Sequence, residues 1–216
     1  MSRPLVITDC DEVLLHMVVP FRDWLGEEQG VRFDLGSENF ARGMTHAQSG
    51  EPVIEEDIWR LLNLFFDGQM HRQMPIAGAV AAMTELARHA DVVVLTNLKD
   101  HRNGHRTRQL ADHGVNVRVF TNQGPKGPAL QAILDEYRPS RAVFVDDLAQ
   151  HHGSVAELAP HVGRLHFCGE PLLAPNIACA HKAGHAHARI DDWTRALPWL
   201  LDYLTLETAN ETEGHR

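Results

Sequence analysis

The sequence predicts an α/β fold built around a parallel β-sheet. Four short runs of apolar, mostly β-branched residues lie at 5–8, 92–95, 117–120 and 142–145. Nearly unbroken runs of this length are typical of strands that are covered on both faces. Helical patterns separate the later runs, and strands that alternate with helices form an α/β sandwich.

The helices are predicted from apolar spacing and from residues that end helices. Patterns with helical spacing precede the second, third and fourth runs, over 75–90, 105–114 and 127–137. Gly114 and Pro139 close the last two patterns, as expected at helix ends. Each strand after the first is therefore expected to follow a helix.

The chain beyond residue 150 carries weaker signals. The segment 163–168 is a candidate strand, and 191–204 is a candidate closing helix that Asp191 or Asp192 would cap. The polar segment 206–216 is predicted to be a disordered tail.

An insertion is expected between the first two strands. Residues 16–75 contain no convincing strand but two or three helical patterns. The pattern at 55–66 places its apolar residues on one stripe, and 20–30 is a second candidate helix. Such an insertion would lie above the carboxyl ends of the strands, where open α/β sheets bind ligands.

Composition narrows the classes of partner. The formal net charge is −9 and the pI is near 5.9, which disfavours nucleic acids and membrane surfaces as partners because both are anionic.

Three scattered cysteines do not form a disulfide framework and favour a reducing compartment. The start resembles no signal peptide, and no window approaches the ~20 apolar residues of a membrane span. A cytoplasmic protein is expected.

An acidic pair follows the first predicted strand. Asp9 and Asp11 are two positions apart, and in an extended segment such side chains point the same way. Two adjacent carboxylates repel, so one is protonated or a cation lies between them. Mg²⁺ would fill that place and would let an acidic site accept phosphate. Taken alone, such a pair can equally well do no more than cap a helix.

Polar residues recur at the ends of the other strands. Thr96 and Asn97 follow the second run, and Asp146 and Asp147 follow the fourth. Lys126 lies in a glycine-containing segment before the third helix. Each can be read singly as a helix cap or an exposed loop residue. Their recurrence in one order favours a shared site.

In this order, the four motifs resemble those of the haloacid dehalogenase-like (HAD) phosphohydrolase superfamily. The match covers residues ~5–150, and the insertion is similar to the C1 cap of that superfamily. The resemblance implies a three-layer α/β/α Rossmann-like core with a parallel sheet, formed by 1–15 and 76–205. It also implies a small helical cap over 16–75, inserted after the first strand.

The resemblance assigns roles to the first motif and to the phosphate-binding residues. Asp9 would be the nucleophile and form an aspartyl phosphate. Asp11 would be the general acid and then the general base, and its backbone carbonyl would bind Mg²⁺. Thr96 and Lys126 would stabilise the transferring phosphoryl group, and Asn97 could add a backbone N–H.

The fourth motif supplies the remaining metal ligands. With Asp9 and Asp11, one member of the Asp146 and Asp147 pair would complete the Mg²⁺ shell. Asp147 is favoured, because it matches the acid of the commoner Gly-Asp form of this motif. The sequence leaves the choice open.

Two features depart from the usual pattern. Glu12 stands where a small residue commonly follows the second aspartate, and its longer side chain is expected to crowd the phosphate or to point into solvent. The insertion is also short for a C1 cap. His151 and His152 follow the fourth motif and either line the site or lie in a solvated turn. His16 lies near the expected mouth of the site and is a candidate for substrate specificity.

The predicted function is therefore a Mg²⁺-dependent phosphatase of a small phosphorylated metabolite. Dehalogenation is disfavoured because it has no need of Asp11 as a proton donor. A phosphomutase remains open, and so does a catalytically inactive HAD-like binding module, for which Glu12 would be a sign of decay.

Overall fold

The structure is a computed structural model that describes residues 2–37 and 40–205. The predicted tail at 206–216 lies outside the described residues. The centre of the fold is a six-stranded parallel sheet, whose strands are β1 Leu5–Thr8, β4 Asp91–Thr96, β5 Arg118–Thr121, β6 Ala142–Asp146, β7 Gly163–His166 and β8 Ala188–Arg189. Their order across the sheet is β5-β4-β1-β6-β7-β8.

The sheet is covered by helices on both faces. These helices are α3 Ala79–His89, α4 Asn103–Asp112, α5 Gly127–Tyr137, α6 Ala149–Leu158 and α7 Trp193–Thr205. Because side chains alternate along a strand, Val6 packs on one face with residues of α3 and α7, whereas Ile7 packs on the other with residues of α5 and α6. The predicted α/β fold with its parallel sheet is confirmed.

The weaker predictions near the carboxyl end also hold. The candidate strand at 163–168 is β7, and the closing helix is α7. Asp192 caps this helix, because its carboxylate accepts a hydrogen bond from the backbone N–H of Arg195 at 3.0 Å. No helix in the described part of the chain is both long and apolar enough to cross a membrane.

The strand register brings the predicted site residues to one edge of the sheet. Thr8, at the end of β1, pairs with Val94 of β4 and Val145 of β6. The residues that follow these positions are Asp9, Leu95 and Asp146, so β1 and its two neighbours end side by side. Parallel strands share one carboxyl edge, which is where the acidic residues lie.

The small insertion after β1 is present but is not purely helical. It contains α1 Val18–Trp24, continued by a π-helical turn, a hairpin of β2 Val31–Phe33 and β3 Met44–His46, and α2 Glu55–Gly68. Its own apolar cluster includes Phe21, Trp24 and Phe65. The hairpin was not predicted, because three-residue strands are too short to show an alternating pattern.

Candidate active site

A buried lysine joins two of the strand-end acids. The ammonium nitrogen of Lys126 lies 2.8 Å from Asp9 Oδ1 and 2.6 Å from Asp146 Oδ2. Lys126 is 1% exposed and Asp146 is fully buried. Burial alone would lower the pKa of Lys126, but the charges of Asp146 and Asp9 outweigh it and raise that pKa. The ammonium group therefore stays charged inside the sheet edge.

The acids outnumber this single cation. Carboxylate oxygens of Asp9, Asp146 and Asp147 all lie within 4.8 Å of one another. Burial, opposed by Lys126, raises the pKa of Asp9 to about 7. Burial and the charge of Asp146 raise the pKa of Asp147, whereas Lys126 overcomes burial and lowers the pKa of Asp146. If all three carboxylates were ionised, they would carry more negative charge than Lys126 neutralises.

Thr96 and Asn97 differ in what their side chains do. Thr96 is 1% exposed, and its hydroxyl is buried with no hydrogen-bond partner among the described residues. Such an atom is available for a ligand. The side chain of Asn97 instead donates to the carbonyl of Gly124 at 2.9 Å and accepts from Asn122 at 2.9 Å. It holds the loop that leads into Lys126.

The carboxylate of Asp11 does not join the acidic cluster. Arg106 Nη2 lies 2.8 and 3.0 Å from its two oxygens, and Gln73 Nε2 donates to Oδ1 at 2.7 Å. Asp9 and Asp11 were expected to face one ion because residues two apart point the same way in a strand. The strand ends first: the Cys10 carbonyl accepts hydrogen bonds from the N–H groups of Leu14 and Leu15, so the chain turns at Cys10.

Arg106 and Gln73 are site residues that sequence reasoning missed. Arg106 is fully buried on α4, and its Nη1 also donates to the sulfur of Cys10 at 3.2 Å. A signal was present: the buried positions of α4 and the turn before it are Arg102, Arg106 and Leu110, spaced by four. The apolar pattern shows only the leucine, so a buried arginine at this spacing is easily read as a surface residue.

Several solved structures share this arrangement of elements over most of the length of the chain. A HAD family hydrolase from Deinococcus radiodurans R1, with bound phosphate and sodium, aligns with a TM-score of 0.64 at 19% identity, over 96% of this chain and 98% of that one. The chain has the haloacid dehalogenase-like fold. A protein of unknown function from Agrobacterium tumefaciens strain C58, described as haloacid dehalogenase-like, shares this fold with a TM-score of 0.66 at 18% identity, over 93% and 98%.

A third structure with the HAD-like fold comes from Haemophilus somnus 129PT and is described as a predicted phosphoglycolate phosphatase. It aligns with a TM-score of 0.62 at 12% identity, over 93% of this chain and 99% of that one. No protein-family model matches the sequence, and no curated protein matches it either. The similarity is therefore one of fold.

Within this HAD-like fold, Glu12 does not point into solvent, so that expectation is wrong. Glu12 is 2% exposed, with a left-handed φ of 59°. Its Oε1 accepts hydrogen bonds from the backbone N–H groups of Met17 and Val18, at 2.9 and 2.6 Å. The side chain therefore anchors the start of the insertion to the turn after β1. A carboxylate suits this position because helix starts leave such donors without partners.

Two buried histidines of the HAD-like core hold the backbone of the fourth motif. The Nε2 atoms of His152 and His166 lie 2.9 and 2.8 Å from the carbonyls of Asp146 and Asp147. Ala180 donates its N–H to His166 Nδ1, so His166 is neutral with its proton on Nε2. His151 and His152 are both buried, which excludes a solvated turn.

His152 is expected to make stability depend on pH. Burial lowers the pKa of His152 from 6.5 to about 4, so between these values the unfolded chain binds a proton that the folded chain does not. Above pH 6.5 both states carry a neutral His152, and the free energy of unfolding is not reduced by this group. The free energy of unfolding should fall by about 1.4 kcal/mol per pH unit as the pH drops from 6.5 toward 4.

The measurement is urea unfolding of the wild type and His152→Gln at several pH values from 7 down. Glutamine keeps an N–H donor for the Asp146 carbonyl but does not titrate. Other histidines titrate in both proteins and cancel in the difference. A difference that stays constant over this pH range would contradict the assignment.

Proposed function

We propose that the protein is a Mg²⁺-dependent phosphohydrolase that cleaves a small phosphorylated metabolite through an aspartyl phosphate. The observation that carries this proposal is the buried Lys126 ammonium group between Asp9 and Asp146. A nucleophilic carboxylate, a fixed cation and an acidic cluster at one sheet edge are what phosphoryl transfer requires.

The acidic cluster fits a divalent cation. Three buried carboxylates face one ammonium group, and burial raises the pKa of Asp9 and Asp147. Asp9, Asp147 and the Asp11 backbone carbonyl would hold Mg²⁺, with Asp146 committed to Lys126. When bound, Mg²⁺ would neutralise charge on the cluster and on the phosphoryl oxygens. Bound metal would also favour the ionised carboxylates, so Asp9 would be nucleophilic at neutral pH.

Asp9 would attack phosphorus with the carboxylate oxygen that is not paired with Lys126. The new bond joins this oxygen to phosphorus while the ester P–O bond breaks and the leaving oxygen takes up a proton. Lys126 would hold Asp9 in place and stabilise charge on the transferring group. The unpartnered hydroxyl of Thr96 is available to donate to a phosphoryl oxygen.

Asp11 would donate and accept the protons of the reaction, and its ion pair with Arg106 would control which of the two it can do. The guanidinium group contacts both oxygens of the Asp11 carboxylate, an arrangement that matches its ionised form. Ionised Asp11 would take a proton from the water that attacks the aspartyl phosphate. To protonate a leaving oxygen in the first step, Asp11 would have to separate from Arg106 and take up a proton from solvent, which it would then pass to that oxygen.

The Deinococcus radiodurans structure supports a phosphorylated ligand, since that protein of similar fold was solved with bound phosphate. The formal net charge of −9 gives no general attraction for anions. A phosphorylated substrate would therefore depend on the local cation Lys126 and on a bound metal ion.

The direct test is hydrolysis of para-nitrophenyl phosphate with and without Mg²⁺. Turnover should require Mg²⁺, disappear with EDTA and return when Mg²⁺ is added in excess. Asp147→Asn should raise the Mg²⁺ concentration for half-maximal activity by roughly tenfold or more, since even outer-shell changes cost about that much.

Asp202→Asn is the matched control, because it removes an exposed acid of α7. It should leave the Mg²⁺ dependence unchanged. Absence of turnover by the folded wild type, on this ester and on a panel of phosphorylated metabolites, would overturn the proposal in favour of a binding module. The same panel would identify the substrate.

A further inference from the structure

A second cluster of ligand atoms lies beside the proposed Mg²⁺ site. We propose that Glu12, His16 and Glu170 form a second divalent-cation site, which takes a transition-metal ion such as Zn²⁺, Mn²⁺ or Co²⁺. A carboxylate oxygen of each glutamate and a ring nitrogen of His16 lie within 4.8 Å of one another. This inference does not depend on the proposed phosphohydrolase activity.

Three separate segments supply the ligands. Glu12 lies in the turn after β1, His16 is the first residue of the insertion, and Glu170 follows β7. The backbone N–H of Gly169 donates to the carbonyl of Glu12 at 2.7 Å, which fixes the third segment against the first. The cluster is thus set in backbone that is already ordered by hydrogen bonds, as metal sites require.

The Glu12 side chain has an oxygen that the protein leaves without a partner. Its Oε1 takes both amide hydrogen bonds, whereas Oε2 is buried and has no hydrogen-bond partner among the described residues. Glu170, which is 6% exposed, also ties Oε1 to the backbone, at the N–H of Leu172. Its Oε2 lies 3.0 Å from His16 Nδ1. Each glutamate therefore presents one oxygen to the cluster.

The charge of the cluster favours a cation. Two buried carboxylates that lie this close together repel each other when both are ionised. A bound metal ion would neutralise both glutamates and would satisfy the unpartnered oxygen. The His16 side chain is 28% exposed, which leaves a path for the ion and for a water ligand.

The donor set distinguishes this site from the acidic cluster. Imidazole suits Zn²⁺ and other transition metals, whereas Mg²⁺ favours oxygen ligands and keeps much of its water. Asp9, Asp146 and Asp147 offer oxygen alone. Excess Mg²⁺ should therefore occupy the acidic cluster and leave the Glu12, His16 and Glu170 site to the transition metal.

The test titrates the full-length protein with Co²⁺ in excess Mg²⁺, followed by calorimetry and by visible absorption. The wild type should bind one Co²⁺ with a ligand-field band. His16→Ala and Glu170→Gln should each weaken this binding at least tenfold and remove the band. Asp147→Asn should retain both, which separates this site from the catalytic metal site.

His105→Ala is the matched control, because His105 is an exposed histidine on α4; it should leave the Co²⁺ stoichiometry unchanged. Unfolding curves establish that each variant is folded. Co²⁺ binding that survives in both folded variants, or a wild type that binds no Co²⁺ in excess Mg²⁺, would overturn the proposal. Loss of phosphatase activity without loss of Co²⁺ binding would count only against the proposed function.

Discussion

Asp9→Asn is expected to reduce the hydrolysis of para-nitrophenyl phosphate by roughly a thousandfold or more. The amide keeps the shape of the side chain but is a poor nucleophile, and loss of a covalent nucleophile removes most of the rate. The measurement is steady-state turnover in excess Mg²⁺. Intact-mass analysis of an acid-quenched reaction should also show one phosphoryl group on the wild type and none on the variant.

Asp112→Asn is the control for this experiment, because it makes the same change at an exposed position near the end of α4. It should retain wild-type turnover and the phosphoryl adduct. An Asp9→Asn protein that keeps a tenth of the activity would refute Asp9 as the nucleophile, whatever the fate of the other assignments.

Lys126→Met is expected to destabilise the fold by about 3–5 kcal/mol at pH 8 in EDTA, besides abolishing turnover. The substitution removes a cation that is 1% exposed and that pairs with Asp9 and Asp146. Breaking a buried ion pair from one side leaves uncompensated charge, which is the costly case. Urea unfolding measures the change.

A double variant separates the effect of the lost charge of Lys126 from the effect of its changed packing. Lys126→Met with Asp146→Asn should recover part of the lost stability, because fewer buried charges remain unpaired. Lys182→Met, at an exposed lysine, should change the free energy of unfolding by less than about 0.5 kcal/mol. If Lys126→Met alone is as stable as this control, the ion pairs of Lys126 with Asp9 and Asp146 contribute nothing to the free energy of unfolding.

The fold was largely predictable because its strands are buried on both faces. β1 and β6 read as unbroken apolar runs, and α5 was predicted with the bounds Gly127–Tyr137 that the structure shows. The hairpin of the insertion was not predicted because its strand β2 has three residues, of which only Val31 and Phe33 are buried. A pattern of three positions does not distinguish a strand from a loop.

Strand geometry made much of the site predictable, and the resemblance of the motifs added Lys126 at the start of α5. Asp9, Thr96 and Asp146 belong to or directly follow paired strands, so their common edge follows from the sheet. Asp11 lies beyond the turn at Cys10, and its partner Arg106 is distant in sequence and lies on a helix. Contacts of this kind depend on tertiary packing, which no local pattern encodes.

Arg106 also links the insertion to the acid–base chemistry proposed for Asp11. Its guanidinium group lies 5.9 Å from the centre of the Phe66 ring, while it binds Asp11 on its other side. One turn earlier, Arg102 donates to Asp67 of the same helix α2 at 2.7 Å. Reshaping the insertion to admit a different substrate is therefore expected to alter the speed of proton transfer as well, so selectivity and turnover would have to be engineered together.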